Sequence, residues 1–406
     1  MRIAFLTWEF PPEIVGGLGV YSDNAVRQLH ASGHEVVVFA PKSGDLPEIG
    51  DYQGTSVVRP PSFSASAAFS HVINSDLREW GDFFGDLFLT NLLWVDRFRI
   101  LHAERPFDLV AVQDWLSAPA GLILAKQSPA PIVFHLHSTE WGRRGAGASP
   151  AVTYWERELG NNADAVITVS RSMRRDLLEH DFPERKVHAI WNGIDPDRYS
   201  PDVADRSRIR ALYGIADDDL MGLFVGRLTD VKGVVPAVEA WANIATLFPE
   251  ARLVILGVGE LQNAIEKRIA ELRLEGLASL RCEFVTEEER IAHYAAADVC
   301  LFPSTYEPFG IVCLEAMAMA KPVVVGARGL VGFREQVVND GPTKCGVHVN
   351  GSSASDIAWG VGQCLQDPAR AALWGQNGRK RAISHFTWPE SMRKTLEVYE
   401  AAVAGS

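Results

Sequence analysis

Apolar positions along this chain come in two textures. Short apolar runs, bounded by glycine, proline or polar residues, alternate with stretches whose apolar residues recur every three or four positions. The first texture predicts strands buried on both faces, the second amphipathic helices. RIAFLTW (2–8) predicts a first buried strand, and the Pro- and Gly-rich EFPPEIVGGLG (9–19) a loop. A helix is expected to run to about Ser32, with Gly33 placed to end it. EVVVFAP (35–41) is the next strand, so the chain begins strand–glycine loop–helix–strand, the unit that builds a parallel sheet.

DLVAVQDW (108–115), PIVFHLHS (131–138), AVITVS (165–170) and VHAIWNG (187–193) predict four more strands that end in polar residues. NGIDPDRYSP (192–201) is turn chemistry and reads as a linker. MGLFVGRL (221–228) restarts the alternation, and ARLVILGVG, LRCEFV, VCLFPS, PVVVG and CGVHVN continue it. Between 63 and 103, Trp80, Phe83, Phe84, Leu87, Phe88, Trp94, Val95 and Phe98 recur at helical spacing and predict one or two amphipathic core helices, with an acceptor-binding or membrane-touching role as the alternative. The expected fold is α/β with two successive domains, 1–200 and 201–385. A last helix, about 388–401, carries Trp388, Met392, Leu396 and Tyr399 on one stripe, so that residues 386–406 can return to the first domain. In such sheets ligands bind beyond the carboxyl ends of the strands. Two such edges facing one another would make a cleft.

Composition narrows the function. At 406 residues the chain suits two domains, and 47% hydrophobic with 22% charged residues is ordinary for a globular protein. The net charge of −12 opposes nonspecific binding to nucleic acid, while leaving room for an anionic small ligand held by local cations. Five cysteines without a CxxC pair point to a reduced, cytoplasmic setting. MRIAFLTWEF lacks the pattern of a signal peptide, and no apolar run reaches the ~20 residues of a membrane span.

The richest stretch is STYEPFGIVCLEAMAMAKPVVV (304–325). A strand, a loop and a short helix beginning near Gly310 would leave the amides of Gly310, Ile311 and Val312 as unsatisfied donors suited to a phosphate. Glu307 stands before that site, and Glu315 lies ~7 Å further along the helix. A pyrophosphate with a hydroxylated ring on either side would meet both carboxylates, which describes a nucleoside-diphosphate sugar. On spacing alone, a surface Glu307 and a Glu315 in an ordinary ion pair fit equally well. VGRLTDVKG (225–233) places Arg227 and Lys232 on one loop after a strand, either as a clamp on a departing diphosphate or as solvated charges. The glycines Gly16 and Gly17 of GGLG (16–19) sit in too long a loop for a dinucleotide fingerprint, which demotes a nicotinamide enzyme.

In FHLHSTE (134–140), His135 and His137 share a sheet face, with His137 nearer the ligand edge and His135 suited to the core. No third ligand suggests a metal centre. Asp114 ends another strand, as a ligand-binding residue or a helix N-cap. No GxSxG, kinase-type P-loop or HExxH occurs.

Together these segments resemble the retaining glycosyltransferases of the GT-B architecture, and within it family-four enzymes and glycogen and starch synthases. SxxEPFGxxxLEAMAxxxPVV is the specific signature. The resemblance implies two Rossmann-like domains with parallel sheets facing across a cleft. By position, it places Glu307 beside the transferred sugar and Glu315 on the ribose hydroxyls. Gly310, Ile311 and Val312 then contact phosphates or sugar, and Arg227 and Lys232 hold the diphosphate. His137 lies near the sugar's 6-hydroxyl, Gly16 and Gly17 near donor phosphate and acceptor, and Phe284 to Thr286 near the nucleobase. Two departures weaken the match to polymer synthases: Ile14 stands where they have the lysine of KxGGL, and QDWL (113–116) where they commonly read HDWH. HSTEWGRR (137–144) would face the acceptor with Asp114, and Arg143 and Arg144 would meet an acidic acceptor or stay solvated.

The expected activity is transfer of a hexose, glucose as the best guess, from ADP- or UDP-glucose to a carbohydrate or small hydroxyl acceptor. Neither metal nor other cofactor is expected. A nucleotide-sugar epimerase of the same architecture and a non-catalytic nucleotide-sugar sensor are the rival readings.

Overall fold

The computed structural model describes residues 1–61, 81–203 and 205–405. The chain forms two compact units. Unit 1 comprises Met1–Val169, Arg174–Ile190 and Ser391–Ser406, and unit 2 comprises Ser170–Met173 and Trp191–Glu390. The change of unit thus falls at Ile190/Trp191 and Glu390/Ser391, where sequence alone places it at 200/201 and 386.

The physical reason is that 192–201 packs as part of unit 2. Ile194 is 2% exposed and its amide donates to the Phe386 carbonyl at 2.9 Å. Arg379 donates to the carbonyls of Tyr199, at 2.8 Å, and Pro196. Asn192, Gly193, Ile194 and Tyr199 are buried and Asp195, Asp197 and Arg198 exposed, so the expected linker is a turn segment partly packed into unit 2.

Unit 1 carries eight strands: β1 (Arg2–Leu6), β2 (Glu35–Phe39), β3 (Ile49–Tyr52), β4 (Thr55–Val58), β5 (Leu109–Gln113), β6 (Ile132–Leu136), β7 (Ala165–Thr168) and β8 (Val187–Ala189). They lie in the order β3-β4-β2-β1-β5-β6-β7-β8. All pairs are parallel except β3 with β4. Strands β5, β6 and β7 are buried at every position, which is why they read as continuous apolar runs.

Unit 2 carries β9 (Leu220–Val225), β10 (Ala251–Leu256), β11 (Ala278–Arg281), β12 (Val299–Phe302), β13 (Tyr306–Glu307), β14 (Val323–Gly326), β15 (Leu330–Val331) and β16 (Gly346–Val349). Six of them form a parallel sheet in the order β11-β10-β9-β12-β14-β16, and β13 pairs with β15 apart from it. Counted from β9, this is the doubly wound order 3-2-1-4-5-6. The direction of winding reverses between β9 and β12. In unit 1 it reverses between β1 and β5. Loops leaving these four strands diverge to opposite sides of their sheet and open a crevice at each reversal, the standard ligand position of such sheets.

The helix Gly17–Ala31 ends with Ser32 as its C-cap and Gly33 at φ +81°, as the sequence suggests. The described part of the aromatic stretch lies in the helix Gly81–Glu104, with Leu87, Trp94, Val95 and Phe98 buried. Trp80 lies outside the described residues. The last helix is Trp388–Gly405, and Tyr399 donates to or accepts from His135 of unit 1 at 2.8 Å. Among the described residues no helix is long and apolar enough to cross a membrane.

Candidate functional site

The reversal point of unit 2 gathers the residues of both key motifs. After β9 the chain passes Arg227, makes a 3-10 turn over Asp230–Lys232, and enters the helix Val234–Leu247 through Gly233. After β12 it runs through β13, reaches Gly310 and enters the helix Ile311–Ala318. The two loops are tied by the Thr305 amide, which donates to the Val231 carbonyl at 2.9 Å. This brings Lys232 onto Glu307 as an ion pair, with the side chains 18% and 11% exposed. Glu307 is therefore a buried carboxylate with a cation on it, and the surface alternative is excluded. Arg227 is exposed and makes no ion pair with any described residue.

Both helices entering this crevice begin with a left-handed glycine and no side-chain cap: Gly233 at φ +70° and Gly310 at φ +88°. Elsewhere in the unit Asp205, Thr286, Ser353 and Asp367 cap their helices with side-chain oxygens. Among the described residues the amides of Gly310, Ile311 and Val312 have no acceptor. Two bare helix N-termini with one unpaired arginine make an electropositive pocket wall suited to a diphosphate. Gly310 is required by space as well as by its backbone: a Cβ there would stand 2.2 Å from the buried ring of Phe333.

Glu315 sits deeper, 2% exposed, and its carboxylate is mostly filled by the protein. Oε1 accepts from Arg290 Nη2 at 3.1 Å and lies 3.0 Å from the Tyr199 hydroxyl, whose single proton is also within 2.8 Å reach of Glu287 Oε1; Oε2 accepts from Arg290 Nε at 3.1 Å and the Tyr294 hydroxyl at 2.8 Å. A carboxylate has about four acceptor positions, and Arg290 and Tyr294 fill three of them. Burial, then the Glu315 charge, pushes the Tyr294 hydroxyl well above its usual range, so it stays a donor. Glu315 is thus held in an ion pair with Arg290, beside which the ribose contact remains what the resemblance implies. The Thr286 hydroxyl accepts from the Glu289 amide at 3.2 Å and caps the helix Glu287–Ala296, which leaves its backbone for the nucleobase contact that the resemblance implies. Phe284, two residues earlier, is 64% exposed.

The reversal point of unit 1 holds a second constellation. Gly16 is the N-cap of the helix that Gly17 begins. Their amides were expected near a phosphate. Instead Glu9 Oε2 accepts from Val15 at 3.2 Å, Gly16 at 2.9 Å and Gly19 at 3.1 Å. A Cβ at position 19 would stand 3.0 Å from that oxygen, so the missing side chain of Gly19 gives Glu9 its place. The chain has put a carboxylate of its own where an anion would bind.

His135 is 1% exposed, bridged between the hydroxyls of Tyr21 at 3.2 Å and Tyr399 at 2.8 Å, and burial holds it neutral. It is a core histidine, as its position on the strand suggests. His137 pairs through Nε2 with Gln113 Oε1 at 3.2 Å, which makes Nε2 the protonated nitrogen and Nδ1 the acceptor. Burial pushes it down to about 3, so it is uncharged near neutral pH. Among the described residues no group of three His, Cys, Asp or Glu side chains is arranged to hold a metal.

Asp114 follows β5 at φ 56°, a strained backbone for a residue with a side chain. It is 6% exposed, and its Oδ1 has no hydrogen-bond partner among the described residues. Burial pushes it up to about 6, against the pull of Arg143, the Trp115 amide and the Ser138 hydroxyl. Arg143, expected to meet an acceptor or stay solvated, is only 20% exposed. It pairs with Glu140 at 3.0 Å and the fully buried Glu156 at 3.7 Å, and donates to Ser138. Arg144 is the exposed one, 71%, at 3.7 Å from Glu140.

Burial pushes the Glu156 carboxyl up to about 8 from 4.5, with Arg143 and the Glu140 amide opposing and Asp114 and Glu140 reinforcing. Between these values the folded chain holds a proton that the unfolded chain releases. Its contribution is therefore present below about 4.5 and lost as pH rises through 8. Glu156→Gln is expected to remove this slope, at most ~1.4 kcal/mol per pH unit. Urea unfolding at pH 5.5, 7 and 8 checks it: the variant should gain on the parent as pH rises, and a constant difference would refute the assignment.

Glu9, Arg290, Tyr199, Tyr294 and Glu156 were not singled out in the sequence. Only Glu9 had a signal, an acid ahead of a glycine-rich helix start.

The profile described as Glycosyltransferase Family 4 matches residues 15–198, and that described as Glycosyl transferases group 1 matches 205–381. An uncharacterized glycosyltransferase of Methanocaldococcus jannaschii is 33% identical over 99% of both chains. Glycogen synthase of Mycobacterium tuberculosis is 32% identical over 100% of this chain and 96% of its own. Among solved structures, sucrose-phosphate synthase from Thermosynechococcus elongatus superposes with a TM-score of 0.83 at 25% identity, covering 100% of both chains.

Proposed function

Because the chain belongs to the family-4 glycosyltransferases, we propose that it moves a hexose, glucose by preference, from ADP- or UDP-glucose to a hydroxyl acceptor with retention at the anomeric carbon. The carrying observation is the Lys232–Glu307 pair set beside two bare helix N-termini and the unpaired Arg227. In this reading unit 2 holds the donor. The amides of Gly310, Ile311 and Val312 and the Arg227 guanidinium receive the diphosphate, and their pull strengthens as charge builds on the leaving oxygen. Lys232 stands between the diphosphate and Glu307, and Glu307 in turn orients a sugar hydroxyl. The glycosidic C–O bond breaks, the departing diphosphate oxygen takes the acceptor's proton, and the acceptor oxygen bonds the anomeric carbon on the same face. These fixed cations do the electrostatic work, so neither metal nor other cofactor is needed. Glu315 supports the donor site indirectly by fixing Arg290, Tyr199 and Tyr294.

Nucleoside-diphosphate release should depend on both donor and acceptor across a matrix of nucleotide sugars and hydroxyl compounds. NMR of the product should show the donor's anomeric configuration. Donor conversion without acceptor would instead establish an epimerase. Saturable donor binding with no release under any pairing would leave a sensor.

A further inference from the structure

We infer that the acceptor is an uncharged polyol, carrying neither phosphate nor carboxylate. This rests on the transfer reading above and adds the acceptor's class. Three independent features of unit 1 lead to it.

The glycine loop, whose amides suit an anion, already holds one. Three of its amides converge on Glu9 Oε2 at 2.9–3.2 Å. An anion reaching the remaining amides of Gly17 and Leu18 would lie against that carboxylate, and like charges at such a distance repel.

The cation best placed to offset this is already committed. Arg143 lies between Glu140 and Glu156, and also donates to Ser138. Withdrawing it would strand the buried carboxylate of Glu140, a large penalty. Arg144 points into solvent, still within ion-pair range of Glu140. The other charges that act on Asp114 and Glu156 are Glu9 and Glu140, both negative.

The polar atoms that do lack partners are of the wrong kind for an anion. Asp114 Oδ1 is a buried acceptor awaiting a donor, and Gln113 Nε2 is a buried donor awaiting an acceptor. Gln113 spends its own Oε1 on His137. These neighbouring residues close β5 at the reversal point of the sheet. A hydroxyl group both donates and accepts, so a polyol can answer either atom. A phosphate dianion cannot donate to Asp114 and is repelled by it. Leaving such groups unpaired costs more than a typical hydrogen bond contributes, which makes the pair selective.

The test uses the full chain and matched probes: glucose against glucose 6-phosphate, maltose against maltose 1-phosphate, and myo-inositol against inositol 3-phosphate. Each pair is assayed with UDP-glucose and with ADP-glucose, and each acceptor is also examined by saturation-transfer NMR with nucleoside diphosphate present. The neutral member of the preferred pair should have at least a tenfold higher kcat/KM and the stronger saturation. Equal or better use of the phosphorylated member would overturn the inference while leaving transfer intact. Neutral-selective saturation without turnover would support the inference and count against transfer. Absence of saturation from every neutral probe would overturn it.

Discussion

Lys232→Ala is expected to lower acceptor-dependent turnover about 10²–10³-fold. Two losses add. The diphosphate loses a cation at the moment charge develops on it. Glu307, only 8% exposed, is left as a buried carboxylate without its partner. The second loss is structural and can be separated from the first. A Lys232→Ala, Glu307→Gln double variant replaces the stranded charge by a neutral amide, so it should recover most of the lost unfolding free energy, about 3 kcal/mol. Turnover should stay low, because the cation is still missing. Urea unfolding and single-turnover kinetics on parent, single and double variants make the comparison. Recovery of turnover along with stability would show that Lys232 serves only to neutralise Glu307, and would remove it from the chemistry.

Glu315→Ala should cost about 3 kcal/mol of stability, because it strands the Arg290 guanidinium in a mostly buried setting. For a unit of this size that corresponds to a fall in Tm of roughly 6–12 °C. Tyr294→Phe removes one of the hydrogen bonds to Glu315 and should cost only about 1 kcal/mol. The contrast with a purely ribose-binding role is sharp. A carboxylate kept for a ligand alone would leave Tm unchanged on removal and raise the apparent donor Kd. Calorimetry with and without nucleoside diphosphate distinguishes the two, and an unchanged Tm with weakened donor binding would leave the ribose role alone.

Much of the architecture is legible because parallel strands buried on both faces leave unbroken apolar runs. AVIT of β7 and VVVG of β14 cannot be mistaken for surface. The hairpin β3–β4 is not legible: IGDY is half exposed, and its turn uses Gln53 and Gly54 at φ 51° and 84° where asparagine–glycine would be the usual signal. Strands β13 and β15 are two residues each and have no period to read.

At the site, residue types and spacing locate Arg227, Lys232, Glu307 and Gly310, because each follows a strand or opens a helix. The partners that decide what those residues do come from far along the chain. Arg290 and Tyr199 reach Glu315 across 25 and 116 positions, and no local pattern records such distances. Arg143 shows the same limit. Its apparent freedom in HSTEWGRR disappears once Glu156, buried on another helix, is beside it.

The return of residues 391–406 to unit 1 bears on how the protein is born. His135 waits 264 positions for the hydroxyl of Tyr399. A ribosome adding ~5–20 residues per second needs on the order of ten seconds to a minute to cover that span. During that interval unit 2 can emerge and fold as a unit, while the earlier-made domain still lacks the helix that closes over its buried histidine. The domain synthesised first is therefore the one completed last.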